Sequence, residues 1–477
     1  MPASRFDVVI LGGGPAGERA AVQAGRAGKR VALVEREHVV GGTCVNWGTI
    51  PSKTLRESAV FVLSLTTHKI EGIRSEITDR ITMSDFMHHE KLVVQRELEL
   101  VNRTLEKYAI EVFAGHGSFV DAHTVSVGGR DGKERLRLEG DVIVVATGSS
   151  PNRPTDIGFN SETIFDSSTI LQLGRVPESM IVLGAGVIGV EYASIFAALG
   201  IQVILVDTRD RILPYLDREM AGLLKRSLKK LGIVLVQNDH YRGVEIVSGS
   251  HPTVRVLTRG GNVMEADTLL YCVGRDGNTR DLRLENAGLR PSDRGLLEVN
   301  EFYQTTQPHI YAAGDVIGYP ALASTSAEQG RQAIRHAFGL SGPRGRTEAL
   351  PFAIYAIPEI SYVGRTEEEL AEAGVDYVAG HGRYDMNPRG QILGDTDGVL
   401  KLLFDSSSLR LLGVHIIGTG ASELIHTGQA FMRSEADAWH IAETLYNYPT
   451  LSDLYRHAAL ESIAAHRKRR AGANANV

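Results

Sequence analysis

The residues with the clearest chemical purpose are three glycines and one acid near the start of the chain. An apolar run at residues 6–11 leads into the segment GGGPAG, which contains Gly12, Gly14 and Gly17, and a helical pattern and a second apolar run then end at Glu35. The first glycine permits a tight turn, the second lets the backbone approach a pyrophosphate, and the third lets helix and strand pack closely. The acid accepts a hydrogen bond from a ribose hydroxyl. This segment therefore predicts a dinucleotide-binding site.

The same arrangement occurs a second time, later in the chain. The apolar run at residues 179–183 leads into GAGVIG, which contains Gly184, Gly186 and Gly189, and the next apolar run ends just before Asp207. The interval from the first glycine to the acid is the same in both segments. One GxGxxG pattern is a weak signal, but two complete units indicate that the chain binds two dinucleotides at once. We expect one to be a resident prosthetic group and the other to be an exchanging coenzyme.

The elements around the two segments predict how the chain is divided. Apolar runs end at Thr147-Gly148, at Gly274 and at Asp315, and each ending is typical of a strand that closes a dinucleotide-binding sheet. The first domain is therefore expected to be split, with the second inserted between its halves. We predict an α/β fold with two Rossmann-like domains and a C-terminal α+β domain. The predicted boundaries are 1–152 with 278–348 for the first domain, 153–277 for the second, 349–466 for the third, and 467–477 for a flexible tail.

The composition argues against several other classes of protein. The net charge of −6 indicates no general affinity for nucleic acid or for an anionic membrane surface. No stretch approaches the roughly 20 apolar residues of a membrane-spanning helix, and we expect no secretory signal. The only two cysteines, Cys44 and Cys272, are far apart, which excludes a disulfide framework and favours the reducing cytoplasm. No group of residues with metal-ligand spacing predicts a metal site.

With these features in place, nearly the whole chain resembles the FAD-dependent pyridine nucleotide–disulfide oxidoreductases. The segments that carry the resemblance are GGGPAG, GGTCVNWGTIPSK, VVATGS, GAGVIGVE, GRDGN, YAAGD and NYPTLSD. The resemblance implies that the first domain binds FAD, the second binds NAD or NADP, and the third forms the interface of a homodimer or a higher homo-oligomer. The implied FAD contacts include Gly12, Gly14, Gly17, Glu35 and Asp315, the implied coenzyme contacts include Gly184, Gly186, Gly189 and Asp207, and the remaining cofactor-binding candidates are Thr43, Cys44, Thr49, Lys53, Thr147, Gly148, Arg209 and Gly274.

Two departures from the family pattern affect its thiol chemistry. The family's redox disulfide has the form CxxxxC, but here Cys44 is followed by Thr49 at the position of the second cysteine. Threonine forms no disulfide, so electrons cannot leave through a dithiol. Near the C-terminus, Tyr448 and Asp453 stand where disulfide reductases have a histidine and a glutamate that act as a base for the thiol. These changes make the chain similar to the soluble pyridine nucleotide transhydrogenases of bacteria, which are of the Si-specific type.

The resemblance also implies a mechanism. NADPH delivers hydride to the flavin N5 and leaves, and NAD⁺ then takes the hydride back at the same site, which is ping-pong chemistry. Lys53 is implied to lie beside N5, and Glu191 to pair with it and to help position it. Together with Tyr448 and Asp453, these two residues form the set of catalytic candidates.

The residues that follow Asp207 leave the choice between NAD and NADP open. Asp207 suits the free 2′-hydroxyl of NAD and repels the 2′-phosphate of NADP. Arg209 and Arg211 follow closely, and either could bind that phosphate through two hydrogen bonds. A site with both charges would bind both coenzymes. The alternative is a solvated loop with a plain preference for NAD.

Two other functions remain compatible with the sequence. An NAD(P)H:quinone reductase, or diaphorase, would have the same fold and the same missing dithiol. A non-catalytic redox sensor would keep the nucleotide sites but would not need Lys53 and Glu191. Cys44 could act as a redox thiol, but because it lacks a partner thiol it is interpreted as a bystander.

Overall fold

The computed structural model describes residues 3–67, 82–129, 133–342 and 349–475. Its helices are α1 (Pro15–Arg26), α2 (Gly42–Asn46), α3 (Thr49–Thr67), α4 (Met83–Lys107), α5 (Val187–Ala198), α6 (Arg218–Lys230), α7 (Ala323–Ala337), α8 (Glu367–Glu372), α9 (Pro388–Leu393), α10 (Ala421–Arg433), α11 (Ala438–Glu443) and α12 (Leu454–Ala475). Its strands are β1 (Ala3–Leu11), β2 (Val31–Glu35), β3 (Glu111–Ala114), β4 (His116–Phe119), β5 (Thr124–Gly128), β6 (Glu134–Val145), β7 (Ser149–Pro151), β8 (Ile164–Asp166), β9 (Ser179–Leu183), β10 (Gln202–Val206), β11 (Val234–Val236), β12 (Tyr241–Val247), β13 (Thr253–Thr258), β14 (Val263–Ala266), β15 (Thr268–Tyr271), β16 (Arg275–Gly277), β17 (Ile310–Ala312), β18 (Phe352–Ile354), β19 (Ile360–Gly364), β20 (Tyr377–Arg383), β21 (Val399–Asp405) and β22 (Leu411–Ile417).

Contacts between the described residues group the chain into two compact units. The first comprises residues 3–58, 82–129, 133–176 and 270–342, and the second comprises residues 59–67, 177–269 and 349–475. The first unit thus joins two stretches that lie on either side of the second glycine segment. The finer division into three domains stays a prediction.

The first unit is built on a sheet with the order β3-β2-β1-β6-β5-β4, in which β17 also pairs with β6. Strands β3, β2, β1, β6 and β17 are parallel, and β4 and β5 add an antiparallel edge. Val8 lies opposite Val31 on one side and Val142 on the other. The strands read as continuous apolar runs because both faces of a parallel sheet are buried. Helix α1 covers one face through the alanines at 20, 21 and 24.

The second unit contains the other glycine segment and the C-terminal part of the chain. Strands β9, β10 and β11 are parallel, with β10 between the other two. Strands β12, β13 and β14 form an antiparallel meander. The C-terminal sheet is antiparallel with the order β18-β19-β22-β21-β20, and a hydrophobic core joins it to α10 and α12.

The predicted α/β fold class is confirmed by the parallel sheets behind both glycine segments and by the mixed C-terminal part. Helix α12 extends over most of the residues for which the sequence predicts a flexible tail. Alanines and arginines, which favour helix, dominate that stretch. Among the described helices, none combines the length and the apolar character needed to cross a bilayer.

Candidate functional site

The first glycine turn connects β1 to α1. Each of its three positions requires glycine for a different steric reason. Gly12 has a φ of +103°, which side chains other than glycine rarely adopt. A Cβ on Gly17 would lie 1.9 Å from the carbonyl oxygen of Gly12, so α1 packs against the turn only without one. Gly14 is the N-cap of α1, and the nearest atom that its Cβ would meet is 3.7 Å away. The first backbone N–H groups of α1 are therefore accessible to an anion.

Glu35 ends β2 beside this turn and is held there by the backbone. Its Oε2 accepts a hydrogen bond from the Gly13 N–H at 2.8 Å, and its Oε1 accepts one from the Glu37 N–H at 2.9 Å. The side chain is buried, and burial raises the pKa of its carboxyl group despite these hydrogen bonds. Glu35 is thus a fixed acceptor at the position where a ribose hydroxyl is expected.

A cavity of about 640 Å³ opens in front of the turn within the first unit. The Oγ1 atom of Thr147, on the cavity lining, is buried and has no hydrogen-bond partner among the described residues. An orphaned buried hydroxyl indicates that a polar ligand group belongs there. Gly17 and Lys53 lie outside the lining, whereas it includes these predicted residues: Gly12, Gly14, Glu35, Thr43, Cys44, Thr49, Thr147, Gly148 and Asp315.

Asp315 follows β17 and receives a chain of hydrogen bonds that the sequence did not predict. The Ser149 hydroxyl donates to Asp315 Oδ2 at 2.8 Å, and Arg275 Nε donates to the Ser149 hydroxyl at 2.8 Å. The Arg275 Nη2 atom donates to the Ser149 carbonyl oxygen at 2.7 Å. Strands β7 and β16, which carry Ser149 and Arg275, pair in antiparallel fashion. Gly274, with a φ of +83°, turns the chain into β16.

The segment that departs from the family pattern lies on α2 and the start of α3. Cys44 and Thr49 both line the cavity, and the Thr49 hydroxyl is close enough to the Cys44 thiol to affect its pKa. Burial raises the pKa of the Cys44 thiol, although the Thr49 hydroxyl and the nearby Lys53 ammonium oppose the increase. Cys44 is a free thiol, as is Cys272. At neutral pH the Cys44 side chain is therefore a neutral thiol and not a reactive thiolate.

The second glycine turn, between β9 and α5, repeats the geometry of the first. Gly184 has a φ of +100°, and a Cβ on Gly189 would lie 1.8 Å from the Gly184 carbonyl oxygen. Gly186 is the N-cap of α5 and has open space where a Cβ would stand. The second unit therefore contains the same kind of anion-accepting helix start.

Asp207 follows β10 and occupies the place that Glu35 has in the first unit, but its surroundings differ. Its Oδ2 accepts from the Ala185 N–H at 2.5 Å, and its Oδ1 accepts from the Arg209 N–H at 2.8 Å. The Arg209 guanidinium also binds both oxygens, each at 2.8 Å. Burial alone would raise the pKa of Asp207, but the hydrogen bonds from Arg209 and the backbone outweigh it and lower that pKa. Arg209 thus rests on Asp207, whereas Arg211 pairs with Glu368 at 3.5 Å.

The four catalytic candidates have different environments. Glu191, on α5, is buried, and its Oε1 accepts a hydrogen bond from the Tyr355 N–H at 2.8 Å. Lys53, on α3, is half-buried and donates to the Ser52 hydroxyl at 3.4 Å. Tyr448 is 77% exposed. The predicted pairing of Lys53 with Glu191 stays a prediction.

The fourth candidate, Asp453, is contacted by two side chains of α12, the helix that follows it. Its carboxylate lies 3.5 Å from Arg456 and 3.4 Å from His457.

A separate group of three carboxylates in the second unit has the geometry of a cation site. Oxygen atoms of Asp217, Glu219 and Glu367 lie within 4.8 Å of one another. The ammonium of Lys401, which is fully buried, lies 2.9–3.0 Å from all three residues. The positive charge that this group requires is therefore supplied by the chain itself.

Comparison with known proteins places these features in a wider context. Residues 6–330 match the model of the pyridine nucleotide-disulphide oxidoreductases, and residues 350–459 match the dimerisation domain of the same family. The chain is 44% identical over 456 residues to a soluble pyridine nucleotide transhydrogenase from Mycobacterium bovis, covering 96% of this chain and 97% of that protein. It is 41% identical over 461 residues to a protein of the same name from Yersinia pestis, covering 96% and 98%.

Solved structures of similar architecture have lower sequence identity. LpdA from Mycobacterium tuberculosis matches with a TM-score of 0.88 and 28% identity, covering 96% of this chain and 99% of that one. The HOCl-induced flavoprotein disulfide reductase RclA from Escherichia coli matches with a TM-score of 0.85 and 28% identity, covering 95% and 99%.

Proposed function

Because the chain belongs to the pyridine nucleotide–disulphide oxidoreductase family, we propose that it is a transhydrogenase that transfers hydride between NADPH and NAD⁺ with a resident FAD. The observation that carries this proposal is Thr49, which lines the cavity together with Cys44 and stands where the family pattern has its second cysteine. A hydroxyl cannot be oxidised to a disulfide, so no dithiol is available to accept electrons. The names of the two sequence relatives support the same activity.

In this proposal the first unit holds FAD, and the cavity with its orphaned Thr147 hydroxyl fits such a group. FAD, when bound, supplies a centre that accepts a hydride and returns it. The N–H groups at the start of α1 bind the pyrophosphate, Glu35 accepts from the adenosine ribose, and Asp315, held by Ser149, accepts from the ribityl chain. The complete proposed set for FAD is Gly12, Gly14, Gly17, Glu35, Thr43, Cys44, Thr49, Lys53, Thr147, Gly148 and Asp315.

The second glycine turn holds the exchanging coenzyme in this proposal. The start of α5 binds its pyrophosphate, and Asp207 and Arg209 contact its adenosine ribose. The proposed contacts with the coenzyme are Gly184, Gly186, Gly189, Asp207, Arg209 and Gly274. Both NAD and NADP enter here in turn, so one site serves donor and acceptor.

Lys53 is proposed to provide positive charge where negative charge develops during transfer. It lies one helical turn after Thr49 on α3, and residues four apart share a face of a helix. Thr49 lines the cavity, and Lys53 is therefore proposed to act on the same side, although its side chain lies outside the cavity lining. Glu191, whose carboxylate is fixed by the Tyr355 N–H, is proposed to position that ammonium.

The remaining elements of the proposal concern the environment of the reaction. The match of residues 350–459 to a dimerisation domain supports a homodimer, in which Tyr448 and Asp453 would complete the partner's site. Transfer of the Si-specific type and a cytoplasmic location are further parts of the proposal. The two free cysteines are compatible with a reducing compartment.

The test is anaerobic oxidation of NADPH by the flavin-loaded protein, with thio-NAD⁺ and a set of quinones as competing acceptors. We expect the specificity constant for thio-NAD⁺ to exceed that for every quinone. A higher value for a quinone would contradict the proposal and favour the quinone reductase. If NADPH fails to bleach the flavin at all, the protein is a redox sensor instead of an enzyme.

A further inference from the structure

The hydrogen-bonding capacity of Asp207 is used up by this chain's own donors. A carboxylate offers about four acceptor directions, two on each oxygen. On Asp207 the backbone N–H groups of Ala185 and Arg209 fill two of them, and the two nitrogens of the Arg209 guanidinium fill the others. A ribose hydroxyl can therefore donate to Asp207 only if the guanidinium moves away.

Glu35 in the first unit provides a comparison for Asp207. Glu35 stands at the same place after its strand, yet the hydrogen bonds that the described residues donate to it come from two backbone N–H groups, of Gly13 and Glu37. Two of the four acceptor directions of Glu35 are thus not used by these donors, and Glu35 lines the cavity. The acid of the second site thus carries a guanidinium that the acid of the first site lacks, and the second site is the one proposed to exchange its ligand.

We propose that Arg209 is the switch that allows the second site to accept both coenzymes. In the free site it rests on Asp207; a ribose 2′-hydroxyl displaces it and donates to the carboxylate, whereas a 2′-phosphate draws the guanidinium onto itself. This inference rests on the proposed function, since it explains how one site serves NAD and NADP.

The energetics favour such an exchange. Guanidinium binds carboxylate and phosphate through the same two-pronged geometry, so moving Arg209 from one to the other replaces one bidentate contact by another. Asp207 is buried, but the Arg209 side chain is 43% exposed, so water competes for the guanidinium at its end of the pair. A fully buried pair would be too costly to separate.

Arg211, the other arginine that the sequence offered, is placed differently. Its guanidinium lies 3.5 Å from Glu368 on α8 and donates to the Pro214 carbonyl oxygen. Glu368 also accepts from the Arg218 N–H at 3.1 Å, so Arg211 belongs to a contact that ties the loop to α8. Arg211 therefore serves as a matched control for Arg209.

The experiment measures binding of two redox-inert fragments, 2′,5′-ADP and ADP-ribose, to the holoenzyme by calorimetry. We expect Arg209→Gln to weaken 2′,5′-ADP by about 10- to 100-fold, the range of a charge-assisted hydrogen bond. ADP-ribose should bind equally well or several-fold tighter, because Asp207 is released. Asp207→Asn should give the opposite pattern, with ADP-ribose weakened by about tenfold. Arg209→Lys keeps the charge but loses the bidentate geometry. It should therefore give an intermediate loss of affinity for 2′,5′-ADP.

Two results would overturn the inference. One is an equal loss of both fragments in Arg209→Gln or, should that variant misfold, in Arg209→Lys, and the other is a selective loss of 2′,5′-ADP in Arg211→Gln. Because neither fragment can donate or accept hydride, the binding ratio is independent of catalysis. A protein that shows the expected ratios but transfers no hydride to NAD⁺ contradicts the proposed function alone, and one that transfers hydride with unchanged ratios contradicts only the switch.

Discussion

Replacement of Lys401 by methionine should destabilise the second unit through the charges left behind. The ammonium lies 3.0 Å from each carboxylate oxygen of Asp217, 3.0 Å from Glu219 and 2.9 Å from Glu367. Lys401 and Asp217 are both fully buried. Methionine is similar in length and uncharged, so the substitution removes the cation with little change in volume.

The size of the effect follows from which carboxylates lose their partner. Removing one member of a buried ion pair costs about 3–5 kcal/mol, because the remaining charge stays buried without compensation. Asp217 is that charge here. The Glu219 and Glu367 side chains are 43% and 33% exposed, so water replaces much of what they lose. We therefore expect Lys401→Met to lower the free energy of unfolding by about 3 kcal/mol.

Urea denaturation followed by far-UV circular dichroism measures this loss. The matched control is Lys230→Met, because the Lys230–Asp397 pair is exposed and should contribute less than about 1 kcal/mol. The double variant Lys401→Met/Asp217→Asn should recover at least about 1 kcal/mol, since asparagine removes the buried charge. It also keeps an acceptor for the Glu219 and Met220 N–H groups that cap α6. If Lys401→Met resembles Lys230→Met, or if the double variant is no more stable than Lys401→Met, the charge argument is wrong.

Two further substitutions test the packing and the thiol chemistry of the first unit. Gly17→Ala places a Cβ 1.9 Å from the Gly12 carbonyl oxygen and should cost at least about 3 kcal/mol or prevent folding, whereas Gly158→Ala enters open space and should be nearly neutral in the same denaturation assay. Thr49→Cys places a second thiol on the same cavity lining as Cys44 and should form a disulfide on mild oxidation, seen as two fewer titratable thiols than in the reduced variant. Retention of all thiols after oxidation would mean that the two side chains are not positioned as a pair.

The features that the sequence predicted are those imposed by local sterics. Gly12 and Gly184 have positive φ values, and Gly17 and Gly189 have no room for a Cβ, so each role depends on a few neighbouring residues. Strands β9 and β10 begin and end where the apolar runs do, because parallel strands buried on both faces leave an uninterrupted signal.

What the sequence did not predict depends on contacts between distant segments. Ser149 and Asp315 are hydrogen-bonded although they are 166 residues apart in the sequence. Arg275 and Ser149 are hydrogen-bonded although they are 126 residues apart. Only the pairing of β7 with β16 brings these groups together, and periodicity identifies strands without identifying their partners. The choice between Arg209 and Arg211 was open for a related reason, since it depends on where each guanidinium finds an acceptor.

The missing dithiol and the Asp207–Arg209 pair have a common consequence under the proposed function. A disulfide reductase takes electrons from one coenzyme and passes them to a thiol, so a strong preference for that coenzyme costs nothing. Because Thr49 replaces the second cysteine, no dithiol can accept the electrons. Hydride must then enter and leave through the same nucleotide site. A site that strongly preferred one coenzyme would then be filled by it and would return hydride to the molecule that donated it. An arginine that exchanges one bidentate partner for another avoids this, because neither coenzyme gains a large advantage. On this reasoning Arg209→Gln should reduce transfer from NADPH to thio-NAD⁺ while leaving reduction of the protein by NADH nearly unchanged.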